Sequence, residues 1–479
     1  MVRKTQNRIR VNERLNQIPF RRLNSLMSNT WVGYSVCLLG FILVTYSFYP
    51  GYMSPDTLSN FEQAKTGVFR DINSPIMSYV WGLTLFFSDG PFVMFLFQNL
   101  LFWSGITIFW RLAANRSALL GFFVAVSAWM PQTLSQLSTV WKDIALCSAL
   151  LLASSLIFWA SRKKLLIPLL FTPALLFYGL GARLNAFPAV LPLAVWSAFV
   201  IVRNLRLFRS GNRKRIIFST AVGLSYFAFL ASGVYLVNFY LTDGKTTYPY
   251  QQVLLYDLAA ISKETGSSEF PSYITENRSY SLNQVQTEYN LRSVNSLIYV
   301  TRPNQAREPI LLTTTDPEKI SQLISRWRAA VTKHPGTYLL HRWNVFAQLI
   351  GLTRDTVSNP FWDPKFEMNP PRFRPEPNIM NLALTNYFQS LRKFPFFREF
   401  FWMLLSGFFL YRSVRARLKG DWEMIFFISL SSLAFVFAYF PTTPSTEFRY
   451  LFWSVTSSMI TALFGGYLSL RRKTGSNKP

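Results

Sequence analysis

Two cysteines and two histidines in 479 residues leave little room for the chemistries those side chains carry. Cys37 and Cys147 both fall in or near apolar stretches. They support neither a disulfide framework nor a thiolate metal site. His334 and His341 are seven apart with Pro335-Gly336 between them, so a continuous helix cannot align them. No Cys or acid completes a ligand set around them, and a structural or substrate-contact role fits better than a metal pair. Acids are scarce as well, at 23 Asp and Glu against 49 Lys and Arg. There is no Gly-rich phosphate loop, no serine-hydrolase elbow and no zinc signature. No internal repeat or low-complexity segment stands out. Residues 1–30 are long and basic, without a short apolar core or a small-residue cleavage site, so the first apolar stretch reads as a retained anchor.

Apolar length is what the chain has in quantity. The runs Trp31 to Tyr49, Phe92 to Trp110 and Leu451 to Leu470 are uncharged and mostly apolar. Each is close to the ~20 residues that carry a helix across a bilayer. Such runs recur along most of the chain, with aromatics at 17% of residues. Trp and Tyr gather near the ends of the runs, where interfacial belts form. The predicted class is an α-helical polytopic membrane protein.

The net charge of +26 on a soluble protein would suggest nucleic acid. Its distribution argues otherwise. Basic clusters at Arg3 to Arg22, Arg111 to Arg116, Arg162 to Lys164, Arg203 to Arg215, Arg412 to Lys419 and Arg471 to Lys478 hold about half of the Lys and Arg. Only Glu13, Asp421 and Glu423 among the acids accompany them. Short loops enriched in Lys and Arg face the cytoplasm, so the charge reports topology, with both termini inside and no nucleic-acid partner.

Alternating those loops predicts about ten spans in a cell inner (cytoplasmic) membrane. The N-terminal membrane domain covers 31–241, after a basic cytoplasmic N-terminus at 1–30. Its spans fall at about 31–49, 92–110, 117–136 (interrupted by Pro131), 144–160, 165–180, 187–202 and 216–240. Residues 50–75 form a first external loop, in which 57–69 can lie on the membrane as a short amphipathic helix. Residues 76–88 read as an interfacial helix. The polar stretch 242–395 is too long for a simple loop and reads as a mixed external soluble region. Within it, Asp316-Pro317-Glu318 is a strong helix start. Spans at about 396–412, 424–440 and 451–470 close the chain before a cytoplasmic tail at 471–479.

With this topology the unusual polar residues collect on the external face. The first loop carries Asp56 and Asp71. The second tip carries Lys142 and Asp143, the third Arg183 and Asn185, and the last Glu447, Arg449 and Tyr450. Each has a bland alternative. Asp56 follows Pro55 as a turn acid does, and Asp71 sits where a helix or turn begins. Lys142 can snorkel while Asp143 caps a helix, Arg183 can snorkel, and Glu447 can pair with Arg449. Together they suit a sugar hydroxyl facing a phosphate leaving group. A held carboxylate takes the hydroxyl proton, and Arg and Lys neutralise the departing phosphate. Asn277-Arg278-Ser279 fits a glycosylation acceptor, a pattern common by chance.

The arrangement resembles the GT-C superfamily of membrane glycosyltransferases. Asp56 matches that family's catalytic acid in the first external loop, and Asn73-Ser74-Pro75 its Pro-containing step. Lys142-Asp143 matches its second acid, and Arg449-Tyr450 a late Arg-Tyr step. The likeness is best over the first four spans and weak over 242–395. It implies sugar transfer from a polyprenyl-phosphate-linked donor to an envelope glycan or glycolipid acceptor. Asp56 would be the base, and Lys142, Arg183 and Arg449 would lie near the donor phosphate. The motif has one acid at Asp56, not a pair, which leaves a divalent metal possible and no other cofactor required. An O-antigen-type polymerase would instead place its catalytic weight in the large external loops. A transporter would bury charges mid-span and repeat its spans in two halves.

Overall fold

The computed structural model describes residues 30–207, 212–299, 309–353, 360–362 and 368–473. The basic N-terminus and the end of the C-terminal tail lie outside those residues. Within them every regular element is helical, and β pairing is limited to two isolated bridges.

The first half comprises α1 (Thr30–Ser47), α2 (Pro55–Thr66), α3 (Pro75–Thr84), α4 (Phe92–Ala114), α5 (Ala118–Ser127), α6 (Pro131–Leu134), α7 (Lys142–Lys163), α8 (Thr172–Ala182), α9 (Phe187–Asn204) and α10 (Asn212–Leu241). The 242–395 region contributes α11 (Gln251–Thr265), α12 (Ser272–Thr275), α13 (Leu282–Glu288), α14 (Asn295–Ile298), α15 (Pro317–Lys333), α16 (Pro335–Leu349) and α17 (Ile379–Leu391). The chain closes with α18 (Glu399–Arg415), α19 (Trp422–Thr442) and α20 (Phe452–Lys473).

Six of these, α4, α7, α9, α10, α19 and α20 with the turns that lead into them, are long and apolar enough to cross a membrane. The α5–α6 pair makes a seventh if it counts as one span, because Pro131 bends it by 45°. The three other expected crossings form helices that fall short on this measure. α1 is a short apolar helix. The stretch 165–180 starts as a 3-10 turn around Pro168, leaving 11 residues for α8. α18 carries Glu399, Arg412 and Arg415. The 242–395 region is helical among its described residues rather than mixed. Leu255, Leu258, Ala259 and Ile261 recur at helical spacing and are sealed in its own core with Phe270, Leu297 and Leu323.

The hub is α7: 83% of its apolar stretch is enclosed by protein, against 17% for α10 at the edge of the bundle. Two short helices cover one end of that bundle. α2 starts at the Ser54 cap, with Pro55 in its first turn, and stops at Gly67, whose φ of +69° suits glycine. Phe61 of α2 packs on Trp81 of α3. α3 starts at Ser74, whose hydroxyl caps Met77 N–H and donates to the Gly181 carbonyl at 2.6 Å. Gly181 must be glycine for this approach, since a Cβ there would lie 2.6 Å from the Ile76 side chain.

Candidate functional site

Asp56 occupies the first turn of α2, so it is a helix-start acid rather than a loop acid, and the helix N-terminus favours its negative charge. The stretch before α7 is stitched alongside. Tyr52 N–H donates to the Ser138 carbonyl (3.1 Å) and Val140 N–H to the Tyr52 carbonyl (3.0 Å), forming a parallel bridge between Tyr52 and Thr139. Trp141 Nε1 donates to Ser54 Oγ at 2.9 Å, and Thr57 Oγ1 to the Val140 carbonyl at 2.6 Å. The start of α2 is therefore fixed against the start of α7, which carries Lys142 and Asp143.

Arg449 joins the parts. Its Nη2 donates to Asp56 Oδ2 at 2.8 Å, its Nε to Glu447, and its Nη1 lies 3.6 Å from Asp143 Oδ2. The guanidinium rests 4.9 Å from the Trp141 ring centre, within cation–π range. Arg183 pairs with the other oxygen of Asp143, donates to Asn185 Oδ1 at 3.0 Å, and lies 4.5 Å from the Tyr450 ring. Tyr450 stacks on Tyr439, and its hydroxyl meets Ser445 Oγ at 2.8 Å. Lys142 Nζ donates to Asn73 Oδ1 at 2.8 Å and lies 3.8 Å from Asp56 Oδ2.

Three cations and three carboxylates thus share one end of the bundle. They are not equally open. Asp143 and Arg449 keep 1% and 6% of their side chains exposed, whereas Asp56 keeps 38%. The carboxylate of Asp56 is the cluster's outward face. Burial of the surrounding site works to raise its pKa, but Lys142 and Arg449 outweigh that and hold it well below the usual carboxylate range.

Of the nine residues singled out in the sequence, eight come together here: Asp56, Lys142, Asp143, Arg183, Asn185, Glu447, Arg449 and Tyr450. Asp71 does not join them. It accepts from Thr246 Oγ1 (2.5 Å) and Thr247 N–H (2.7 Å), fastening the end of the first loop to the root of the 242–395 region. Asn73, two residues on, has the place at Lys142 instead. Trp141, Tyr439 and Ser445 line the cluster without having been chosen, although Trp141 directly precedes Lys142 and Ser445 lies two residues before Glu447. Tyr299 and its partner Gln252 (3.2 Å) had no sequence signal. The Asp56 charge acts on the Tyr299 hydroxyl, whose pKa is raised by burial first and then by Asp56.

The 242–395 region grips the loop that presents Glu447, Arg449 and Tyr450. Thr446 N–H donates to the Arg292 carbonyl (2.8 Å), and Val294 N–H to the Pro444 carbonyl (3.0 Å). Fully buried Arg342 donates to the Thr443 carbonyl at 2.9 Å, and its Nε lies 2.7 Å from equally buried Asp257. His341 meets Tyr289 Oη at 2.8 Å, while His334 is near Glu269, so the two histidines serve different partners.

A divalent ion would have to displace Arg449, whose guanidinium lies among Asp56, Glu447 and Asp143. Among the described residues no three His, Cys, Asp or Glu side chains group as a metal site. The cluster's donor set therefore suits an anion exchanged at its cations better than a metal at its acids. No family model, curated protein or solved structure matches this chain.

Proposed function

We propose that the chain is an integral-membrane glycosyltransferase of the GT-C kind. It moves a sugar from a polyprenyl-phosphate donor to an envelope glycan or lipid-linked acceptor on the external face of the cytoplasmic membrane. The carrying observation is the meeting of four separate chain segments at Asp56, with Arg449 between the acids. The topology proposed with it has about ten crossings, α1, α8 and α18 included, and both termini inside.

The chemistry is a single displacement. The acceptor hydroxyl oxygen bonds to the anomeric carbon as its proton passes to Asp56. The bond from that carbon to the phosphate oxygen breaks, and the electron pair leaves with the polyprenyl phosphate. Lys142, Arg183 and Arg449 neutralise the charge that develops there. In the resting cluster Asp56 is a weak base, because Arg449 and Lys142 favour its ionised form. A phosphate that draws those two cations to itself raises the carboxylate's proton affinity toward the range where general-base catalysis works. Donor binding would thereby switch the base on, and an empty site would not activate water.

The test compares envelope glycans by mass spectrometry in cells with the gene, without it, and with Asp56→Asn in its place. Loss of one sugar mass in the last two supports transfer. Loss of chain length instead points to a polymerase, a reading favoured by the hold of the 242–395 region on the Arg449 loop. Unchanged glycans with Asp56→Asn remove Asp56 from the base role.

A further inference from the structure

Three long helices of the 242–395 region differ in what they present outward. α15 exposes Glu318, Lys319, Arg326, Arg328 and Lys333, as a helix in water does. α16 exposes Leu339, Leu340 and Trp343, each about half open, while its two basic residues, His341 and Arg342, are turned inward. α17 has no charged residue at all, and it exposes Ile379, Met380 and Leu382. Contiguous apolar faces of this kind on otherwise polar regions mark an interaction surface.

Both apolar faces adjoin helices of the bundle. Phe346 of α16 stacks on Phe437 and meets Phe440 edge-on, at 6.3 and 5.6 Å between ring centres. Phe437 is itself half exposed and lies five residues before Thr442, where α19 ends. At 1.5 Å per residue that contact sits roughly 7 to 8 Å inside the end of a candidate span. α17 is fastened to the end of α1, where Asn378 Nδ2 donates to the Tyr46 carbonyl (3.1 Å) and Asn381 Nδ2 to the Ser47 carbonyl (3.0 Å). Tyr46 and Ile42 of α1 are exposed beside it.

We propose that α16 and α17 lie in the membrane surface as in-plane helices. Leu339, Leu340 and Trp343 on one, and Ile379, Met380 and Leu382 on the other, would then rest among lipid acyl chains. The occupant is the bilayer, because each apolar face continues the lipid-facing side of a bundle helix, and neither carries a charge that a headgroup or an ionic partner would read. Immersion of about 5–10 Å is usual for such helices. The 242–395 region is then seated on the bilayer with α15 facing water, and the Arg449 loop it grips is held at a fixed height above the lipid.

The inference needs membrane insertion but not sugar transfer, so its test is blind to the reaction. The unmodified chain is placed in phosphatidylcholine nanodiscs containing a photoactivatable phosphatidylcholine, and crosslinks are mapped by mass spectrometry. Crosslinks should fall in peptides covering 339–343 and 379–382, at several times the yield in 318–333. A bimane label on Trp343→Cys should be quenched several-fold by nitroxide lipids and little by aqueous iodide, with the reverse at Arg326→Cys. Equal iodide quenching at both positions overturns the proposal. So does protection at 343 from both quenchers without lipid crosslinks, which would mean that a protein surface covers the face.

Discussion

At the end of the bundle away from Asp56, Asp421 is sealed at 4% exposure between Arg116 and Arg162, each 3.1 Å away, while the two guanidinium groups stay about a third open. Glu423 beside it takes Arg203 at 2.5 Å and Trp196 Nε1 at 3.1 Å. There the acids are inside and the cations reach out. At the Asp56 end the cations are inside as well, because Arg449 and Arg183 are enclosed with Asp143, and an acid, Asp56, is the open group. The difference matters because an enclosed cation cannot fall back on water. Removing a buried partner leaves an uncompensated charge, whereas an exposed arginine rehydrates. The first end is a clasp between helix termini. The second end holds enclosed cations that rest on its own carboxylates and on Asn73 and Asn185, and that on the proposed function would exchange them for an anion admitted past Asp56.

The comparison breaks most visibly at Asp56. On the proposed function, Asp56→Asn lowers transfer by about 10²–10⁴-fold with the protein still inserted. Single-turnover transfer with saturating donor measures this, and retained activity would end the contrast in function. Next is Arg449→Ala, which leaves Glu447 without its guanidinium and Asp143 with Arg183 alone, and should destabilise the fold by about 3–5 kcal/mol, read as a large drop in melting temperature in detergent. Arg342→Ala should cost a similar or slightly smaller amount, about 3 kcal/mol, by leaving Asp257 buried without its guanidinium. It should also speed hydrogen exchange at 443–447, which a purely local loss would not touch. Asp421→Asn at the other end should cost only about 1 kcal/mol and leave transfer unchanged, since its arginines can hydrate.

The smallest effect is in pH. Because the Asp56 pKa is depressed, the stability its pairing contributes is fully present above the ordinary Asp range near 4 and is lost only as pH falls through the depressed value. The melting-temperature gap between wild type and Asp56→Asn should therefore be flat from about pH 5 to 8 and should shrink only below about pH 4. A gap that closes near neutrality would show that Arg449 and Lys142 do not govern Asp56.

Much of this was legible because it is local. Uncharged runs specified α4, α7, α9, α10, α19 and α20, and Ser54-Pro55 and Asp316-Pro317 marked helix starts that form at those residues. Placement of the polar groups on one side brought eight of the nine chosen residues together. Asp71 was misplaced because sequence position put it in the right loop but could not show that Thr246 and Thr247 would claim it. Arg342 was invisible for the same reason, since its partner Asp257 and the Thr443 carbonyl are joined only by the fold. Three of the expected spans fall short of the length and apolarity of the other helices, two of them where Pro168, Glu399 and Arg412 interrupt or charge a stretch that an averaged apolar reading smooths over. The 242–395 region gave α15 by its cap, but which face of α16 would be dry depends on Phe437, almost a hundred residues away.

Arg449 and Asp56 stand 393 positions apart along the chain, the last partner arriving when all but α20 has been made. A ribosome therefore releases Asp56, then Asp143, then Arg183, long before the guanidinium that completes the set. A chain cut short anywhere before 449 lacks its central cation and, on the proposed chemistry, is inert. On that chemistry, synthesis past residue 449 becomes the licence for activity, and a product truncated before it and left in the membrane would consume no donor.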